Sequence, residues 1–253
     1  MKEIIAINIQ KGGCAKTVTT QALAEIFSKD YGLKVLCIDT DPQCNLTTVS
    51  GVSVVDCKYN LYTLLKNQSS LQESIVETTY YDLIPGSMFL ANADNEFNVI
   101  GKEQFLKERI ENAKYDLILI DTPPALGLLN IMSLTAATKV LIPSEPSYLS
   151  LMGLSQLYNT ILTVKKYLNN SIELLGLAVI KYKERANINQ AILEALQSSV
   201  NEMGTRLFDS KIRETVKIRE AQSQMVPLVD WDEKCTAVQD YKELAKEIYT
   251  IIK

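Results

Sequence analysis

Histidine is absent from the 253-residue sequence. That one absence excludes histidine-based triads, histidine metal sites and histidine proton shuttles. Cysteine is scarce and poorly placed for its structural uses: Cys14, Cys37, Cys44, Cys57 and Cys235 are odd in number, irregularly spaced and free of any C-x-x-C pair. Neither a disulfide framework nor a zinc site is expected, and the five read as reduced thiols. No apolar run reaches the roughly 18 residues that a membrane helix requires, and the first residues lack the charged, apolar and small-residue order of a signal peptide. Internal repeats, low-complexity tracts and linkers are also missing, so one domain over residues 1–253, soluble and cytoplasmic, is the expectation. The net charge is −4. Binding to a phosphate backbone therefore has to come from a local basic patch, because that affinity comes mostly from clustered Lys and Arg.

What remains is ordinary globular material, 47% apolar and 22% charged. Glu3 to Ile9 is a short β-branched run that gives way to Gln10-Lys11-Gly12-Gly13 and then to a helical pattern through Leu23, Ile26 and Phe27, stopped by Gly32. A second strand, Lys34 to Ile38, ends at Asp39-Thr40-Asp41-Pro42 and completes a βαβ unit. The pattern then predicts a helix around Asn60 to Lys66, a strand at Tyr81 to Ile84 and a helix over about Phe97 to Asn112. Asp116 to Asp121 is apolar on both faces, which suits the middle of a parallel sheet. Further strands are expected at Lys139 to Pro143 and Leu174 to Ile180. Helices are expected at about Gly153 to Leu168, Asn189 to Met203 and Thr236 to Ile252, with a loop rich in Lys and Arg before the last. This alternation predicts a doubly wound, mostly parallel α/β sheet with helices on both faces.

The chemistry concentrates at Lys11-Gly12-Gly13-Cys14-Ala15-Lys16-Thr17, directly after the first strand and opening a helix. The pattern K-G-G-x-x-K-[ST] arises by chance in a chain of this length on the order of once in a thousand. Glycines let the main chain approach a triphosphate, and the helix that follows adds its positive N-terminal end. Lys16 supplies a mobile charge for the β- and γ-phosphates, and the Thr17 hydroxyl can ligate a Mg²⁺ that bridges them. The ordinary Walker A pattern fails, since Gln10 and Ala15 stand where its glycines belong.

The loop resembles the deviant Walker A motif of the ParA/MinD class of ATPases, in which the extra lysine, here Lys11, reaches the nucleotide of the facing subunit. The likeness continues in Ile38-Asp39-Thr40-Asp41-Pro42-Gln43-Cys44-Asn45, in the Walker B-like run from Asp116 to Gly127, and in Leu141 to Pro143, Gly153 to Leu157 and Val216 to Ala221. It is greatest toward small Soj-type ParA partition ATPases. The resemblance implies catalytic roles for Lys11, Lys16 and Asp41, with Asp41 orienting the attacking water. It implies a metal set of Thr17, Asp39 and Asp121, and ATP binding by residues 11–18 (Lys11, Gly12, Gly13, Cys14, Ala15, Lys16, Thr17, Val18). The base falls to Lys181, Ile212 and Arg213, two of which stand where relatives carry Thr or Asn and Pro. A strand-terminal Asp taken alone is often only a turn or helix cap. Cys14, Ala15, Val18 and Cys44 also depart from the family's usual residues. Ala15 carries a Cβ, so its backbone avoids positive φ or bears a cost of about 1 kcal/mol.

The same resemblance implies ATP-driven homodimerisation, non-specific DNA binding at the nucleoid, slow turnover and stimulation by a ParB-type centromere-binding protein. Composition supports a DNA surface in Arg206 to Arg219, where Arg206, Lys211, Arg213, Lys217 and Arg219 outnumber Asp209 and Glu214. Lys211, Arg213, Lys217 and Arg219 are the candidate DNA contacts, against the alternative of an ordinary solvated loop. A MinD-like membrane-positioning ATPase is the competing assignment. Its tail should be basic and amphipathic, whereas the stripe Leu244, Ile248 and Ile251 in a tail of mixed charge suits packing on the sheet. An iron–sulfur protein on the same switch would need cysteines at the dimer face, and a nucleotide-gated module that never turns over would not need Asp41.

Overall fold

Along the central strands, successive residues go to opposite sides. Val35 and Cys37 enter one hydrophobic core and Leu36 and Ile38 the other; Leu117 and Leu119 separate from Ile118 and Ile120 in the same way. The period of two is that of a pleated strand, and burial of both faces is that of a sheet covered on each side by helices.

The computed structural model describes residues 3–11, 13, 15–183, 188–232 and 234–253. The chain begins β1 (Glu3–Ile7), α1 (Lys16–Tyr31), β2 (Val35–Asp39), α2 (Asn45–Val49), α3 (Leu61–Leu65), β3 (Val76–Glu77) and β4 (Asp82–Ile84). Short helices α4 (Ala93–Glu96) and α5 (Phe105–Ile110) lead to β5 (Leu117–Asp121), α6 (Leu128–Ala136), β6 (Lys139–Ser144) and α7 (Tyr148–Tyr167). The remainder is β7 (Glu173–Tyr182), α8 (Ile188–Glu202), β8 (Leu207–Arg213), α9 (Lys217–Ser223), α10 (Leu228–Trp231) and α11 (Thr236–Ile252).

Among the described residues, eight strands form one sheet in the order β3-β4-β2-β5-β1-β6-β7-β8, parallel except for β3 against β4. The doubly wound expectation therefore holds. Phe27 of α1, Leu157 of α7 and Tyr241 of α11 fill one core; Leu64 of α3, Leu106 of α5 and Met132 of α6 fill the other. Each such side chain contributes about 1.5–3 kcal/mol by leaving water. An acidic residue at Ile120, wholly buried, would remove that gain and add an unpaired charge. The loop after β1 lies between β5 and β6, where the strand order reverses, which is the place such sheets bind ligands.

Three local expectations need correction, and one element was not foreseen. The predicted helix over 97–112 is confined to a 3₁₀ turn at Lys102–Gln104 and α5, because Gly101 adopts φ 82° and separates them from the residues after α4. The predicted Lys- and Arg-rich loop holds strand β8 and helices α9 and α10. β8 lies at the sheet edge, and carboxylates of α11 satisfy its outward amides: Glu247 accepts from Asp209 N and Ser210 N, and Asp240 from Arg213 N. Helix α7 starts at Tyr148, ahead of Gly153, because the Ser147 hydroxyl caps it by accepting from Ser150 N. The segment after the Walker B-like strand, to which the sequence pattern assigned no element, forms α6.

Candidate active site: a phosphate loop between an acidic and a basic flank

Helix α1 begins at Lys16 without a side-chain cap, so its first amides stay available at the loop. Ala15 precedes it at φ 48° and ψ 28°. The loop thus takes the left-handed conformation that the missing glycine would have eased, at about 1 kcal/mol. Lys16 is 7% exposed, and its ammonium donates to the carbonyls of Ile9 at 3.4 Å and Lys11 at 3.3 Å. A cation folded back over its own loop is placed where phosphate oxygens would otherwise meet backbone carbonyls. Gly12 and Cys14 lie outside the described residues.

The acidic flank is built from the ends of β2 and β5. Asp39 and Asp121 are register partners on these adjacent strands, about 4.8 Å apart by ordinary strand spacing. Thr17 Oγ1 donates to Asp121 Oδ2 at 2.7 Å, whereas the buried Asp121 Oδ1 has no hydrogen-bond donor among the described residues. Burial, then the charge of Asp39, pushes the Asp121 carboxyl well above the ordinary range against the pull of Thr17 and Lys16. Asp39 is also raised by burial, opposed by hydrogen bonds from Thr47 and Asp41. Its Oδ2 accepts from Thr47 N at 2.9 Å and Thr47 Oγ1 at 2.7 Å, and its Oδ1 from Asp41 N at 3.2 Å.

Gly86 closes this network. Its amide donates to Thr47 Oγ1 at 2.8 Å, and a Cβ on it would stand 3.0 Å from the Asp39 carboxyl carbon. Asp41, 9% exposed, turns its Oδ1 to Gln43 N at 2.9 Å. An orphaned hard oxygen beside a hydroxyl, in a pair of carboxyls that resist joint ionisation, suits Mg²⁺. Among the described residues no group of three acidic or thiol side chains can hold a metal unaided. A metal held here would need further oxygens from outside the chain.

On the other side of the loop, Ala15, Val18, Lys181, Ile212, Arg213 and Tyr241 are among the residues lining a cavity of about 140 Å³. The three residues named for the base therefore meet in one place beside the helix that carries Lys16. Arg213 is held there by Asp240, Nε to Oδ2 at 2.9 Å and Nη2 to Oδ1 at 2.6 Å. Lys217 pairs with Glu220 at 3.2 Å, and the Lys211 ammonium sits 5.4 Å from the centre of the Tyr182 ring. Arg219 is exposed and lines the same cavity.

Sequence reasoning missed Glu145. At the end of β6, its Oε2 accepts from Lys11 at 2.8 Å and its Oε1 from Lys181 at 2.7 Å. Burial pushes this carboxyl up, but the two ammonium groups outweigh it and hold it below the ordinary value. Its position just past a buried strand beside the loop was the available signal. Thr47 and Gly86 were missed as well, and only the strand-to-turn boundary at Pro85-Gly86 hinted at them.

Comparison with known proteins fits this geometry. A family model described as an AAA domain (AAA_31) matches residues 2–174. Over 253 residues the chain is 35% identical to the sporulation initiation inhibitor protein Soj of Bacillus subtilis strain 168, with 98% of each chain covered. The chain belongs to the ParA/MinD class of P-loop ATPases. It is also 31% identical over 252 residues to the chromosome partitioning protein ParA of Caulobacter vibrioides, covering 97% of this chain and 93% of that one. Among solved structures, cobyrinic acid a,c-diamide synthase from Mycobacterium smegmatis with bound ATP analogue and magnesium matches with a TM-score of 0.86 at 26% identity. That match covers 97% of this chain and 93% of the other.

Proposed function

We propose that this chain is an ATP- and Mg²⁺-dependent partition ATPase of the Soj/ParA type, whose subunits pair on ATP and then bind DNA without sequence preference. The observation that carries the reading is the buried Lys16 beside the Thr17–Asp121 pair, on a sheet whose relatives include named chromosome-partitioning proteins. Lys16 meets the β- and γ-phosphates, the α1 amides receive their oxygens, and the base enters the cavity at Lys181, Ile212 and Arg213. Thr17 and Asp121 would hold Mg²⁺, which would supply charge neutralisation at the phosphates, and Asp39, fixed by Thr47, would assist the metal's water shell. Asp41 orients the attacking water.

With no arginine finger in the motif, turnover is slow until a ParB-type partner accelerates it. Lys11 of one subunit completes the phosphate site of the other. Pairing doubles a surface carrying Lys211, Lys217 and Arg219, with Arg213 joining only by leaving Asp240. The competing membrane-positioning assignment is disfavoured by α11, which buries Leu244 and Ile248 in the core and half-buries Ile251. No helix among the described residues is long and apolar enough to cross a membrane.

Light scattering after size exclusion, with a non-hydrolysable ATP analogue and random-sequence DNA, tests this directly. Monomer without nucleotide, dimer with it and DNA retained only by the dimer are expected; a monomer at saturating analogue overturns the reading. Phosphate release by Asp41→Ala should be lost while analogue binding persists, which separates an enzyme from a binding module.

A further inference from the structure

Glu145 is shared by two lysines that belong to different parts of the nucleotide site. Lys11 opens the phosphate loop and, besides Glu145, lies 3.4 Å from Ser147 Oγ, the cap of α7. Lys181 comes from the end of β7, where it adopts φ 51°, and its ammonium also donates to Gly13 O at 2.7 Å. The side chains of Lys11 and Glu145 are 27% and 21% exposed, so their pairing is partly shielded from water and not a fully solvated contact. A Lys11 ammonium in this position points to its own subunit's β6–α7 junction, not outward to a second molecule.

We infer that Glu145 is a positioning residue that tethers Lys11 within its own subunit, and that Lys181, by sharing the same carboxylate through its other oxygen, sets how firmly the tether holds. The inference rests on the reading of Lys11 as a residue that acts across the subunit pair. For Lys11 to reach a neighbour's phosphates it must leave Glu145, and the carboxylate left behind still has Lys181 to neutralise it. Without that second cation, departure of Lys11 would strand a partly buried charge. Lys181 therefore lowers the cost of release, and because it also lines the base cavity it joins that cost to the nucleotide site.

The two substitutions should act with opposite sign. In sedimentation at a saturating non-hydrolysable ATP analogue, with bound nucleotide quantified, Glu145→Gln should pair at about three- to tenfold lower protein concentration than the parent chain. Lys181→Met should require a higher concentration, and the double variant should match Glu145→Gln alone, since Lys181 has no carboxylate to share once Glu145 is replaced. A merely structural role would give losses of one sign that multiply. Pairing of Glu145→Gln that is unchanged or weaker while analogue still binds overturns the tether, as does independence of the two effects. Should Glu145→Gln fail to fold, Lys181→Met decides alone: unchanged or tighter pairing overturns the proposal. Lys11→Ala separates the two levels. If it pairs normally, the cross-subunit reading itself fails; if it cannot pair and Glu145→Gln changes nothing, only the tether fails.

Discussion

The two flanks of the phosphate loop hold charge in opposite ways. At the ends of β2 and β5, Asp39 and Asp121 are wholly buried, fixed by hydroxyl and amide donors, and pushed toward the protonated form by burial. At the ends of β7 and β8, Lys181 and Arg213 keep 41% and 40% of their side chains exposed, and each is matched to a carboxylate of the same chain. The acidic flank therefore carries an electrostatic cost that a bound cation relieves, with geometry set by the core. The basic flank is already balanced. Binding there exchanges one ion pair for another, which makes it adjustable and sensitive to salt.

Lys16 sits between the flanks, and its removal should have the largest effect: Lys16→Ala should weaken a fluorescent ATP analogue by more than about a hundredfold in equilibrium titration. Retained affinity would mean that the loop amides alone suffice. Next, Asp121→Asn should stabilise the nucleotide-free protein by about 1–3 kcal/mol in thermal unfolding, because it removes a carboxyl that burial disfavours in its charged form and whose Oδ1 has no donor among the described residues. The same substitution should abolish the Mg²⁺ dependence of analogue binding. A less stable variant would show that the acidic flank stores no such cost.

Glu25 offers a buried carboxyl remote from both flanks. Burial raises it from 4.5 to about 8, despite hydrogen bonds from Val229 N and Gln21. Because the folded value lies above the unfolded one, its stabilising contribution is complete below pH 4.5 and is lost as pH rises through 8. Glu25→Gln should remove that part of the decline in melting temperature between these limits, and added Mg²⁺ should not substitute for the mutation. The smallest effect belongs to the basic flank. Lys217→Ala and Arg219→Ala should each lower the log–log salt slope of DNA binding by up to about 0.9, with the melting temperature nearly unchanged. An unaltered slope would move the DNA surface elsewhere.

Much of the site was legible because its chemistry is local. Residues 11–17 follow a strand and open a helix, and a loop of that kind needs glycines, a lysine and a hydroxyl residue whatever surrounds it. The buried strands β2 and β5 were readable because two covered faces demand unbroken apolar runs. Strand β8 was not, since Asp209, Lys211 and Arg213 look like loop residues until α11 supplies Asp240 and Glu247 for the edge amides. The break of the predicted helix at Gly101 was hidden for the converse reason: the apolar spacing on either side was compatible with one continuous helix.

The sequence by itself determined the alternation of buried strands with helices, the phosphate loop and the three aspartates at or just past strand ends, because each depends on neighbours within a few residues. Only the tertiary structure decided that Thr17 bonds to Asp121, that Gly86 must be small to admit Asp39, and that Glu145 takes both Lys11 and Lys181. Those contacts join residues 36 to 134 positions apart, and their energies depend on burial and distance, which no pattern along the chain encodes.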